Sequence, residues 1–185
     1  MDLKIEKTPL KGLLVMSPMS FSDNRGYLAE TFHENKYKKF GIPGRFVQDN
    51  QTYSLKGVLR GLHAQRKYPQ AKLVRAVTGE IFDVAVDARP RSPTFGKWHG
   101  NYLSGDNLKQ LFIPEGFLHG FLVLSKSAIV HYKCSEIYRP EDQIGVLWND
   151  PSLAIRWDTK KPILSKKDLQ NESWESFTQK LPARS

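Results

Sequence analysis

With 185 residues, 39% hydrophobic, 11% aromatic and 25% charged, the chain has the makeup of one globular domain rather than a disordered or fibrous segment. Its single cysteine, Cys134, excludes an intramolecular disulfide, and the N-terminal apolar run Gly12–Met16 is too short for a signal core or a membrane span; both fit a reducing, cytoplasmic setting with no membrane partner. The net charge of +9 comes from lysines scattered along the chain and no nucleic-acid motif accompanies them, so it reads as a basic surface with a few cations placed for phosphate, and nucleic acid is not an expected partner.

Taken in order, Glu34–Phe40 predicts a short helix that stops at Gly41-Ile-Pro43. Leu73–Val77 and Ile81–Val86 read as strands flanking Thr78-Gly79-Glu80, with glycine in the turn of an expected hairpin. Gln110–Ile113, His119–Leu124 and Ala128–Cys134 follow as further strands, with Ser125-Lys-Ser127 as a turn. The tail, about 169–185, is polar and reads either as a helix packed on the rest or as a mobile end. There are no repeats and no linker, so residues 1–185 form one mainly β domain.

Alternate residues of a strand face opposite sides of the sheet. Tyr132 shares a face with Val130 and Cys134, whereas His131 and Lys133 share the other with Ile129. His63 goes with Gln65, Lys72 with Val74 and Ala76, and His119 with Phe121 and Val123. Each of these polar residues alone is more often a hydrogen-bonded core side chain than a catalyst. Lys72 is harder to explain by packing, because burying an ammonium is costly without an anion nearby. Together, His63, Lys72, His119 and Tyr132 make a barrel interior polar enough to be a site.

Gly57-Val-Leu-Arg-Gly-Leu-His63-Ala-Gln65, then Gln70, and Pro114-Glu-Gly116-Phe-Leu-His119 have the spacing of the metal-binding β-barrels called cupins. Two ligand positions read as amides, Gln65 and Gln70, which are poor donors for a transition metal. The spacing therefore predicts a mainly β cupin jelly-roll barrel with a few short peripheral helices and with no metal and no cofactor.

Asp23-Asn-Arg-Gly26, Gln48-Asp-Asn50, Gln70-Ala-Lys-Leu-Val74, Gly79–Asp87, Ile113–Phe121, His131-Tyr-Lys-Cys134, Trp148-Asn-Asp-Pro151 and Leu164-Ser-Lys-Lys-Asp168, with the Gly57–His63 segment, carry a resemblance that spans about Asp23 to Asp168. In these segments the chain resembles the dTDP-4-dehydrorhamnose 3,5-epimerases, metal-free cupin enzymes acting on nucleotide sugars. The resemblance implies proton abstraction next to the C4 ketone of a dTDP-linked 4-keto-6-deoxyhexose and return of a proton to the other face, at C3 and C5. It implies His63 as base, Asp168 as the carboxylate that orients it, Lys72 as the cation facing the enolate oxygen and Tyr132 as the acid. It implies that Arg25, Glu30, Gln48, Asp49, Asn50, Arg60, His119 and Lys167 hold nucleotide and sugar, and that the enzyme is a homodimer sharing N-terminal segments. Arg25 and Arg60 suit the pyrophosphate and Tyr138 a stacked base. Gln143 stands where the family often has Glu, which touches nucleotide recognition and leaves the catalytic set intact. The alternatives are a C3-only or C5-only epimerase, a non-catalytic cupin that binds a sugar or phosphate ligand, and a metal-dependent oxygenase.

Overall fold

The computed structural model describes residues 3–181. The chain opens with β1 (Leu3–Lys7), β2 (Leu14–Pro18), the small hairpin β3 (Ser20–Asp23) and β4 (Gly26–Ala29), and the helix α1 (Glu34–Lys38). Then come β5 (Gln48–Leu55), β6 (Leu59–Gln65), β7 (Lys72–Thr78), β8 (Glu80–Asp87) and β9 (Trp98–Ser104). β10 (Gln110–Ile113), β11 (Phe117–Val123), β12 (Ser127–Cys134), β13 (Gln143–Gly145) and α2 (Trp174–Gln179) complete it, with a 3-10 turn at Asp168–Gln170.

Two antiparallel sheets face each other as a jelly-roll barrel, one ordered β1-β2-β10-β7-β12-β5 and the other β13-β6-β11-β8-β9. The side-chain alternation of β8 shows how the layers form. Ile81 and Ala85 point into the core between the sheets, while Phe82, Val84 and Val86 join a second cluster on the outer face. In the same way Val74 and Ala76 of β7 and Val130 of β12 point inward, and Leu73 turns outward to a third cluster with Tyr37 of α1.

The hairpin expected around Gly79 does not form. β7 pairs with β10 and β12 in one sheet, and β8 pairs with β11 and β9 in the other. Gly79 is instead the corner at which the chain changes sheets. It has a φ of +73°, and a Cβ there would lie 2.1 Å from the Ser127 carbonyl oxygen, so the corner admits only glycine. The Ser125–Ser127 turn makes the reverse crossing, from β11 to β12.

The helix expected at Glu34–Phe40 is regular to Lys38 and ends before Gly41, whose φ is +78°. Tyr37 anchors it to the outer face of the first sheet: its ring is 1% exposed and its hydroxyl lies 2.9 Å from both the Thr31 carbonyl and Gln110 Oε1. At the other end, Ser173 caps α2 by accepting from the Ser176 N–H, and Trp174 and Phe177 bury against the outer face of the second sheet. Each such ring contributes about 1.5–3 kcal/mol on burial. The tail is therefore packed on the barrel through Leu181, and its last residues, 182–185, lie outside the described ones.

Candidate active site

The second sheet supplies one wall of a polar cavity through β6. Two of its side chains, Arg60 and His63, line that cavity although they are three positions apart and would face opposite sides of a regular strand. A bulge resolves this: His63 pairs with His119, but Arg60 pairs with Phe121, so three steps on β6 match two on β11. Gly61 is the residue that makes the bulge possible. Its φ is +122°, and a Cβ would meet Gly120 Cα at 2.5 Å.

The segment after Trp157 is tied back to this wall. Ile163 donates to the Gly57 carbonyl at 2.8 Å and accepts from the Leu59 N–H at 3.0 Å, which carries Ser165 and Asp168 alongside His63. His63 Nε2 lies 2.6 Å from Asp168 Oδ1, and Ser165 Oγ donates to Asp168 Oδ2 at 2.8 Å. Burial raises the Asp168 pKa, but the hydrogen bond and charge of His63, with the Ser165 contacts, outweigh it and hold the carboxyl below its ordinary range. An ionised carboxylate only accepts, so His63 Nε2 carries the hydrogen and Nδ1 keeps the lone pair.

The first sheet supplies the opposite wall. Lys72 on β7 and Tyr132 on β12 both face the cavity, the lysine Nζ 6.0 Å from the centre of the tyrosine ring. Burial pushes the Lys72 ammonium pKa down, with Cys134 and Asp83 acting against the shift. Burial pushes the Tyr132 hydroxyl up, with Cys134 adding to the rise and Arg60 opposing it. On the second sheet, His119 is 7% exposed and its Nε2 lies 2.9 and 3.1 Å from the two oxygens of the fully buried Asp83. Among the described residues no ion pair joins Lys72 and Asp83, whose side-chain partner is His119.

The space between the walls is a cavity of about 420 Å³, continued past Gln48, Asn50 and Cys134 by a second of about 280 Å³. At its mouth Gln143 Oε1 accepts from the Tyr138 hydroxyl at 2.6 Å and from Lys167 Nζ at 3.0 Å. Arg60 Nε donates to Ser54 Oγ at 3.0 Å, so Arg60 and Lys167 are both held by neutral acceptors. Gln48 and Asn50 are linked to each other at 3.0 Å, and Asn50 also reaches Cys134 Sγ.

Three residues expected in the site are not brought there within one chain. Asp49 lies on the outer face of β5, bonded to Lys133 at 3.0 Å and 3.8 Å from His131, because strand alternation sends it away from Gln48 and Asn50. Glu30 is paired with Lys36 at 2.6 Å. Arg25 sits on the exposed β3–β4 hairpin, paired with Asp23 at 2.6 Å.

The two amides in cupin ligand positions hold loops. Gln65 Nε2 donates to the Tyr68 and Ile137 carbonyls and its Oε1 accepts from the Arg139 N–H, while Gln70 Nε2 donates to the Glu136 carbonyl. Among the described residues no three His, Cys, Asp or Glu side chains cluster in a way that could hold a metal.

Sequence reasoning missed Ser165, Thr52 and the His119–Asp83 pair. The parity of β8 places Asp83 with Ile81 and Ala85 and could have found it. Thr52 lines the cavity with a buried hydroxyl that has no hydrogen-bond partner among the described residues, and nothing in its sequence context marks it.

The family model for dTDP-4-dehydrorhamnose 3,5-epimerase matches residues 7–176. An enzyme of that name from Methanothermobacter thermautotrophicus is 50% identical over 170 residues, covering 90% of this chain and 92% of the relative. The one from Escherichia coli is 49% identical over 90% of this chain and 91% of its own. A dTDP-6-deoxy-D-glucose-3,5-epimerase from Legionella pneumophila, solved in complex with dTDP-4-keto-L-rhamnose, superposes with a TM-score of 0.91 at 46% identity, covering 93% of each chain. A dTDP-4-dehydrorhamnose 3-epimerase from Streptomyces niveus is 36% identical over 90% of this chain and 81% of its own.

Proposed function

The chain belongs to the dTDP-4-dehydrorhamnose 3,5-epimerase family, and from that premise we propose which of its residues carry each step of the reaction. The enzyme inverts C3 and C5 of dTDP-4-dehydro-6-deoxy-D-glucose, giving dTDP-4-dehydro-L-rhamnose. The C4 ketone acidifies the hydrogens on both neighbouring carbons. His63 Nδ1 removes one as a proton, and the electron pair moves to the ketone oxygen as an enolate. Asp168, bonded to Nε2, fixes the tautomer and stabilises the imidazolium. The Lys72 ammonium faces the enolate oxygen, where preorganised charge is the largest electrostatic contribution. Tyr132 returns a proton from the opposite side, and solvent restores both groups. The chemistry is redox-neutral and each step is a proton transfer.

One observation carries this reading: His63, backed by Asp168, stands on one sheet and Tyr132 with Lys72 on the other, so a sugar ring in the cavity has a base on one face and an acid on the other. At the mouth, Arg60 and Lys167, with His119 inside, receive the diphosphate, Gln48 and Asn50 contact the nucleotide sugar further in, and Tyr138 stacks on the base. Solvent deuterium entering both C3 and C5 tests the whole scheme. Incorporation at one carbon alone would select a single-position epimerase such as the Streptomyces niveus relative is named, and none at all would leave a sugar-binding cupin.

The active unit is a homodimer in this reading. The β3–β4 hairpin exposes Phe21, Tyr27 and Leu28 by 50–64%, and Arg25 lies at its tip, where a second copy would cover the apolar side chains and bring Arg25 and Glu30 to its own cavity. Sedimentation of the wild type against a Tyr27→Asp, Leu28→Asp variant decides it; a monomeric, fully active wild type would end this part. No described helix is long and apolar enough to cross a membrane. With Cys134 the sole cysteine, we place the enzyme in the cytoplasm.

A further inference from the structure

Asp83 takes no part in the scheme above, yet it is fully buried and bonded to His119, which lines the cavity. Both its oxygens share the single Nε2 of His119, at 2.9 and 3.1 Å, which leaves most of the acceptor capacity of a carboxylate unused. A buried anion so thinly hydrogen-bonded needs a cation within reach. Lys72 is the matching group: an ammonium lining the cavity that His119 lines, with no carboxylate among the described residues in an ion pair with it.

We propose that Asp83 is a positioning residue of the reaction, orienting His119 through its Nε2 and supplying the negative charge that keeps Lys72 protonated without binding its ammonium. A direct ion pair would occupy Nζ; a carboxylate one step removed stabilises the charge and leaves the donors for substrate. Other groups face Lys72 as well. Cys134 is its register partner on β12, Tyr132 lies beside it on that strand, and Arg60, His63 and His119 approach from the second sheet. Of these, Arg60 is cationic and Tyr132 and Cys134 are neutral at pH 7, so Asp83 is the anion that offsets the cost of burying Lys72; Asp168 is engaged by His63. The inference rests on the reading that Lys72 faces the enolate.

The test is Asp83→Asn, which keeps shape and removes charge. Deuterium exchange at neutral pH should fall at least about tenfold, and the alkaline limb of its pH profile should move to lower pH. Asp83→Glu should keep that limb in place. In a Lys72→Met background, Asp83→Asn should lower kcat by less than about a further twofold, because the two residues act on it as a unit, while its effect through His119 remains in KM. A folded Asp83→Asn protein with an unmoved limb, or kcat losses that multiply, would overturn the proposal. Nitrogen-15 NMR of lysine-labelled protein reads the Lys72 ammonium directly and needs no variant: a protonated amine at pH 7 in the wild type is expected, and a neutral one would refute the role. Full exchange by Lys72→Met would instead sink the enolate reading, which the NMR titration does not depend on.

Discussion

His63 and His119 are register partners on β6 and β11, and each has its Nε2 engaged by a different buried carboxylate, Asp168 or Asp83. The two pairs look alike but have different surroundings. His63 is about a quarter exposed and faces Lys72 and Tyr132 across the cavity, whereas His119 is 7% exposed on the strand between β6 and β8. His63→Ala should abolish deuterium exchange at both carbons with dTDP affinity retained. His119→Ala should act mainly on KM. A reversal of that pattern in steady-state kinetics would exchange the two roles.

Replacing Asp168 by Asn keeps a hydrogen-bonding side chain but lets the amide donate to Nε2, which favours the wrong tautomer. The expected loss in kcat is about 10²–10⁴-fold, with KM changed by less than about threefold. Stability carries a separate signature. The Asp168 pKa is lower in the folded protein, so its contribution is complete above the ordinary carboxylate range and is lost as pH falls through the lowered value. Acid unfolding of Asp168→Asn should therefore be less steep than that of wild type, as followed by circular dichroism between neutral and acid pH.

Lys72 and Tyr132 are shifted in opposite directions by the same burial, and this assigns the alkaline limb of activity. The tyrosine keeps its proton beyond the ordinary phenol range, whereas the lysine loses its own below the usual value of 10.5. Loss of rate on raising pH should follow Lys72, so Tyr132→Phe lowers kcat without moving that limb. The sign for stability is also defined. Below the lowered folded pKa both states carry the proton, and the folded state bears the full burial penalty; between the folded and unfolded values stability rises with pH. Lys72→Met removes that penalty but also the cation that offsets Asp83, so the gain in stability at neutral pH should appear in the Lys72→Met, Asp83→Asn double variant, while the single variant loses about 10²-fold or more in exchange rate.

Strand parity read from the sequence placed Tyr132, Lys72, His63 and His119 in one interior, because alternation is a local property. The features that it could not supply are those fixed by pairing. Gly79 looked like a hairpin turn, since glycine between two apolar runs is locally the same whether the strands pair or part, and only the partners of β7 and β8 distinguish the cases. Arg60 and His63 share a wall through a bulge that no count of residues along β6 alone reveals. Asp49 followed its neighbours Gln48 and Asn50 into the expected site as part of a sequence block, although β5 turns it to the opposite face.

That bulge makes Gly61 a test of how the wall is built. An alanine would bring a Cβ to 2.5 Å from Gly120 Cα and 2.7 Å from the His119 carbonyl oxygen, both backbone atoms that cannot step aside. Gly61→Ala should cost about 2–3 kcal/mol in chemical denaturation. Because relief of the clash separates β6 from β11 at His63, exchange should fall in the protein that remains folded. A stable, active Gly61→Ala enzyme would mean that the strands approach less closely than this.

Gln143 offers the last and most selective prediction. Its Oε1 accepts from both Tyr138 and Lys167, so it fixes the mouth without neutralising the lysine. Gln143→Glu preserves both hydrogen bonds and adds a carboxylate beside an ammonium that should otherwise meet the diphosphate. At a solvent-exposed mouth the added charge costs an anionic ligand about 1 kcal/mol, equivalent to about fivefold in affinity. Calorimetry with dTDP at low salt should show that weakening, and the difference should shrink at high salt as screening sets in. The kcat should stay within about twofold, because the added charge is paired with the exposed Lys167 and screened by solvent. Equal dTDP affinity in the two proteins at low salt would show that Lys167 does not meet the diphosphate.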